Sequence, residues 1–124
     1  MTAEDISKLS ILVAEDSPPV RLVLKTYLGK LGIAPQFAED GQEAMDMLSR
    51  DHYDMAFMDV HMPEMDGRDV VAGIRKKGIK IPIIAMTTGD DPDLLQSCLE
   101  SGYSTFMLKP ILQEDVFRLV KKFH

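Results

Sequence analysis

The chain has 124 residues, 45% of them apolar and 27% charged, which is the size and balance of one soluble globular domain around one core. A net charge of −6 argues against a nucleic-acid-binding surface, because that binding depends on neutralising phosphates with Lys and Arg. No apolar run nears the roughly 20 residues that span a bilayer. The first ten residues hold no signal-peptide stretch, and the lone Cys98 cannot form an internal disulfide, so the expected setting is the cytoplasm without membrane contact.

Short apolar runs alternate with helical patterns along the whole chain. Ile11–Ala14 reads as the first strand. Val20, Val23, Leu24, Tyr27, Leu28 and Leu31 follow at steps of three and four, which marks the first helix. Ser17 suits its N-cap, Pro18 and Pro19 fit only its first turn, and Gly32 stops it. The second strand is expected at Ala34–Ala38, and Asp40 with Glu43 has the spacing of a capping box. That box opens a second helix that turns Ala44, Met47 and Leu48 inward. Met55–Met58 is apolar on both faces, as a strand buried between two helical layers must be.

Asp66 opens a third helix carrying Val70, Val71 and Ile74, and Ile83–Met86 is the fourth strand. Asp91-Pro92 begins a fourth helix with Leu94, Leu95, Cys98 and Leu99, closed by Gly102. Thr105–Leu108 is the fifth strand, and the last helix buries Val116, Leu119, Val120 and Phe123. The basic stretches Arg75-Lys76-Lys77 and Lys121-Lys122 fall at helix ends, where cations complement the dipole. Segments 61–67 and 88–93 read as loops. The pattern is (βα)5: an α/β three-layer sandwich with a five-stranded parallel sheet, right-handed crossovers and helices on both faces. One domain over 1–124 is expected, its core at about 10–123, with 1–9 as an N-terminal extension.

In such a sheet, ligands bind beyond the carboxyl ends of the strands. The first strand ends in Glu15-Asp16, the third in Asp59, the fourth in Thr87 and the fifth in Lys109. Three carboxylates on one rim repel one another unless a cation sits among them. A hard divalent ion with oxygen ligands answers that need, and magnesium suits so sparse a set. Asp59 could then act as a nucleophile toward phosphorus and form an aspartyl phosphate. Lys109 and the metal would neutralise charge on the transferring group, and Thr87 would hydrogen-bond one of its oxygens.

The stretches ILVAEDS (11–17), MDVHMPEMDG (58–67), PIIAMTT (82–88) and FMLKP (106–110) resemble the four signature blocks of response-regulator receiver domains. Each is weak alone; in order, each at a strand's end, they are specific, and the resemblance runs from Ile11 to about Phe123. It implies a flavodoxin-like sheet of order 2-1-3-4-5, the order of the chemotaxis regulators. It implies that Asp59 accepts a phosphoryl group from a histidine kinase or histidine phosphotransfer domain, with Thr87 and Lys109 as catalytic partners. Asp16 would ligate magnesium directly, Glu15 through water, alongside Asp59 and the backbone carbonyl of His61; manganese would substitute. Thr87 and Phe106 would form the switch, the Lys109–Pro110 peptide would be cis, and the surface of the fourth helix, fifth strand and fifth helix would change its partner or pair two copies. The module would be regulatory rather than an enzyme, with autocatalytic phosphoryl acceptance and autodephosphorylation only, acting on a downstream protein or output domain that the chain does not specify.

Three positions depart from the commoner pattern: Glu15-Asp16 replaces Asp-Asp, Phe106 lacks a phenolic hydroxyl, and Leu112 stands where Asp or Ser often caps the last helix. A phosphohydrolase working through an aspartyl phosphate would need a second acid two residues after Asp59, where His61 stands. A flavin or nucleotide protein on the same fold would offer backbone donors after the first strand, where Pro18 and Pro19 delete them. The His61 imidazole is a softer ligand than magnesium wants; its alternative role is to touch the hydrolytic water. The nine methionines read as adaptable core filling, with apolar contact to a partner as the alternative for Met62 and Met65, whereas His52, His124 and Cys98 read as structural or incidental.

Overall fold

The computed structural model describes residues 3–62 and 65–124. In chain order its elements are α1 (Ala3–Ser7), β1 (Ile11–Ala14), α2 (Pro18–Lys30), β2 (Gln36–Ala38), α3 (Gly41–Arg50), β3 (Met55–Asp59), β4 (His61–Met62) and β5 (Met65–Asp66). There follow α4 (Gly67–Lys76), β6 (Ile83–Thr87), α5 (Pro92–Ser101), β7 (Thr105–Leu108) and α6 (Gln113–Phe123). The main sheet has five parallel strands in the order β2-β1-β3-β6-β7. Renumbered without the short β4 and β5, that order is the expected 2-1-3-4-5.

The strands separate two apolar layers. Leu12, Ala56, Met58, Ile83 and Ala85 face the side covered by α3, α4 and α5, while Ile11, Val13, Phe57, Ile84 and Met86 face the side of α2 and α6. Because side chains alternate along a strand, a strand covered on both faces must be apolar at every step. That is why β1, β3 and β6 are uninterrupted apolar runs. Each large side chain fully buried this way contributes about 1.5–3 kcal/mol.

The register then aligns the strand ends. Ala14 lies beside Met58, Asp59 beside Met86, and Thr87 beside Leu108. The residues that follow β1 and β7 therefore emerge level with Asp59 and Thr87.

Several details depart from the sequence reading. The expected Ala34–Ala38 strand begins only at Gln36, since Pro35 has no N–H for the ladder. The expected loop at 61–67 carries the antiparallel pair β4–β5, with His61 opposite Asp66. Pro63 and Glu64 of that segment lie outside the described residues, as do Met1 and Thr2 of the N-terminal extension. The extension is not bare: α1 buries Ile6 in the layer beneath α2 and α6. Gly32, with φ +81°, ends α2, and a Cβ there would lie 2.8 Å from Ser7 Cβ. On α5 only Cys98 is fully buried; Leu94 and Leu95 are half-buried and Leu99 is exposed. Met47 and Phe123 are likewise only partly buried. Among the described residues no helix is long and apolar enough to cross a membrane.

Side-chain caps open three helices. Asp40 accepts from the Glu43 N–H at 2.8 Å, Asp66 from Arg68 at 2.8 Å, and Asp91 from Asp93 at 3.0 Å. Ser17 occupies the N-cap of α2 but makes no side-chain cap bond. Leu112, in extended backbone at the N-cap of α6, supplies none either, so Glu114 and Asp115 in the first turn act on the dipole alone. Leu112→Ser should therefore raise the unfolding free energy by about 1 kcal/mol. Urea denaturation should show a higher midpoint at unchanged slope; an unmoved midpoint would mean the first turn is already satisfied.

Candidate functional site

The carboxyl ends of β1, β3 and β6 and the residue after β7 meet on one rim. Glu15 is 1% exposed, Asp59 4% and Thr87 1%, while Asp16 faces solvent. Carboxylate oxygens of Glu15, Asp16 and Asp59 lie within 4.8 Å of one another. Two buried carboxylates this close need donors, and the chain provides them. Lys109 Nζ donates to Glu15 Oε1 at 2.7 Å and to Asp59 Oδ2 at 3.0 Å. The Asp16 and Ser17 N–H groups donate to Glu15 Oε2 at 3.0 and 3.3 Å, and the His61 N–H to Asp59 Oδ1 at 3.1 Å.

Burial alone would lower the pKa of the Lys109 ammonium. Its hydrogen bonds to Glu15 and Asp59, with their charge, outweigh that and hold it above the ordinary lysine value.

Thr87 stands at the end of β6, where its Oγ1 accepts from the Gly89 N–H at 3.1 Å. The structure thus spends this hydroxyl on its own loop rather than on a carboxylate. Phe106 lies away from the rim, half-buried against the layer under α3, α4 and α5. The His61 side chain is exposed, and its amide is the group that meets Asp59. The Lys109–Pro110 peptide is cis, as the resemblance implied. Beside the rim, Val20, Val23 and Tyr27 of α2 and Lys109–Ile111 line an apolar cleft of about 200 Å³.

Two residues under Asp59 escaped the sequence reading. Tyr103, buried, donates its hydroxyl to the Asp59 main-chain carbonyl at 3.3 Å. Gly67 packs against the same spot, where a Cβ would overlap both the Asp59 carbonyl oxygen and Tyr103 Oη. Tyr103 and Asp59 lie far apart in sequence, and although Gly67 closes the 58–67 block, nothing local to it reveals this contact.

The donor set suits a divalent metal: three carboxylates offering hard oxygens, one open to solvent, in reach of one ion.

Residues 11–121 match the response regulator receiver domain family. The sensor histidine kinase RcsC of Escherichia coli strain K12 is 38% identical over 107 residues, 86% of this chain and 11% of that protein. The chain thus spans about a tenth of the length of the sensor kinases it matches. Among solved structures, the receiver domain of sensor histidine kinase PA1611 from Pseudomonas aeruginosa PAO1, with magnesium coordinated in its active site cleft, superposes with a TM-score of 0.85 at 29% identity. That alignment covers 93% of this chain and 96% of the other. A Francisella response regulator receiver domain gives a TM-score of 0.87 at 28% identity, over 94% of this chain and 96% of that one.

The raised Lys109 pKa carries a sign. Its contribution to stability is complete below the ordinary lysine value of 10.5 and is lost as pH rises through the higher folded value. Lys109→Met should cost about 1–3 kcal/mol near neutrality, because two buried carboxylates lose their shared donor. Urea midpoints measured at increasing alkaline pH should show the gap to wild type narrowing; a constant gap would place the effect in packing instead.

Proposed function

The chain belongs to the response regulator receiver domain family, and on that premise we propose that Asp59 is the residue that takes the phosphoryl group. Receiver domains work in two-component and phosphorelay signalling, as regulatory phosphoacceptors. The observation that carries the assignment is the burial of Asp59 within 4.8 Å of Glu15 and Asp16, with Lys109 on one of its oxygens. Glu15 shares the lysine contact, but its second oxygen already accepts two main-chain N–H groups, where that of Asp59 accepts one.

Glu15, Asp16 and Asp59 are the side chains that would hold magnesium, with the His61 carbonyl as a main-chain ligand; the same oxygens accept manganese. When bound, such an ion neutralises charge on the oxygens of the transferring group. The donor in this reading is a phosphohistidine on a histidine kinase or a histidine phosphotransfer domain. An Asp59 carboxylate oxygen forms a bond to phosphorus while the P–N bond to the imidazole breaks. The electron pair leaves with the imidazole nitrogen, which then takes a proton from water. Lys109 follows the negative charge from the carboxylate to the phosphoryl oxygens. The apolar cleft between α2 and Ile111, alongside Lys109, gives the donor protein a surface from which its histidine reaches Asp59.

Thr87 would exchange its contact with Gly89 for a phosphoryl oxygen, drawing the loop after β6 inward. Phe106 would turn into the space released, and the face made by α5, β7 and α6 would change. Exposed Leu99 and Leu108 lie on these elements, giving apolar contacts to a downstream protein or to a second copy. Phosphorylation shifts this balance only by the difference in how well the new group is held in the two states. The lone, buried Cys98 suits a reducing compartment such as the cytoplasm. Hydrolysis of the aspartyl phosphate would be the domain's own second reaction, and the exposed His61 imidazole stands where it can touch the attacking water.

Incubation with acetyl phosphate and magnesium should label wild type on Asp59, and Asp59→Asn should reduce labelling to background. Label retained at another residue of that variant would refute the assignment. His61→Ala should change the decay of the phosphorylated form several-fold, followed as loss of the intact phosphoprotein mass; an unchanged half-life would remove His61 from the hydrolytic step.

A further inference from the structure

The strand β7 holds Asp59 at both of its ends. Beyond its C-terminus, Lys109 grips the carboxylate at 3.0 Å. Before its N-terminus, Tyr103 reaches under the neighbouring β6 to the main-chain carbonyl of the same aspartate, at 3.3 Å. Tyr103 is 3% exposed and shares its layer with Ala85 of β6 and Met58 of β3. A buried phenol needs a partner, yet an ordinary core tyrosine finds one wherever the chain permits. Here the partner is the peptide of the phosphoacceptor itself.

The surroundings keep that contact intact. Gly67 fills the remaining space, with no room for a Cβ between the Asp59 carbonyl oxygen and Tyr103 Oη. The Gly67 N–H in turn donates to Val60 O at 2.7 Å, so the start of α4 is tied to the next peptide along. Burial first, and then the negative charges of Asp59 and Asp66, push the phenol well above its ordinary pKa, so it remains a neutral donor throughout the physiological range.

We infer that Tyr103 is a positioning residue for phosphoryl acceptance, its phenol pinning the Asp59 peptide to the root of β7 while Lys109 holds the carboxylate at the tip. This rests on Asp59 being the phosphoacceptor. With one pin removed, the Asp59 peptide gains freedom to tilt, and its carboxylate spends less time in line with an incoming phosphorus. The donor-binding groups are untouched, so binding of a small phosphodonor stays as it was.

The test uses the full chain with acetyl phosphate and magnesium. Tyr103→Phe should lower the maximal labelling rate about 3- to 10-fold, the amount one neutral hydrogen bond supplies when it is felt in the transition state. The KM for acetyl phosphate should be unchanged, with the rate taken per folded molecule counted from its NMR spectrum, because loss of folded protein would also lower the maximal rate at constant KM. The carbonyl carbon resonance of Asp59 should also shift relative to wild type. An unlabelled wild type would overturn the phosphoacceptor reading itself. A labelled wild type, with Tyr103→Phe matching it in rate and in the Asp59 carbonyl resonance, would overturn only the role of Tyr103. Should the variant fail to fold, wild type decides: titration with magnesium and beryllofluoride, a phosphoryl mimic, should move the Tyr103 ring-carbon resonance in step with saturation. A stationary resonance would overturn the inference.

Discussion

One ammonium shared by two buried carboxylates sets the terms for the rest of this molecule. Isolated charges in a protein interior are costly, and Glu15 and Asp59 are almost wholly sequestered. Lys109, together with the amides of Asp16, Ser17 and His61, makes their burial tolerable. The arrangement works because three chain segments deliver their ends to one level, which the parallel register secures. A slip of one residue in β3 would turn Asp59 toward a different layer.

The same arrangement makes the lysine a competitor for anything else that binds the two acids. The lysine satisfies the two acids in the absence of any other cation, so a newly arrived positive charge and the lysine compete for the same oxygens. On the proposed reading, a phosphoryl group on Asp59 would relieve that competition by offering new acceptor oxygens to the lysine. Burial, here, makes the site responsive: in a low-dielectric pocket, a change of charge is felt more strongly than it would be in water.

Most of the architecture was legible because each signal was periodic or terminal. Alternating apolar runs and helical stripes gave all five main strands and the five helices that cover them, since a doubly covered sheet leaves a pattern no loop can imitate. Glu15, Asp16, Asp59, Thr87 and Lys109 were legible because each ends or follows a strand, where position alone predicts convergence. What stayed hidden was packing between distant segments. Tyr103 sits just after Gly102 in what reads as a connecting turn, and nothing near it in sequence reveals that its hydroxyl meets Asp59. The necessity of Gly67 likewise depends on a backbone 44 residues from Tyr103 being close enough to exclude a methyl group. Ile6 was invisible as core because a five-residue helix is too short to show a stripe. Leu99 counts among the apolar positions of its helix by spacing, which cannot report how deep a helix sits.

That shallow seat of α5 has a consequence of its own. Where α4 anchors four residues out of solvent, α5 anchors Cys98 alone among the described residues. Few buried contacts make a segment inexpensive to displace, so of the shell around this sheet, α5 is the plank most easily lifted. A rearrangement begun at the rim need disturb little apolar surface to reach it, and Leu99, which it already shows to water, would travel with it as a ready-made handle for whatever molecule takes hold.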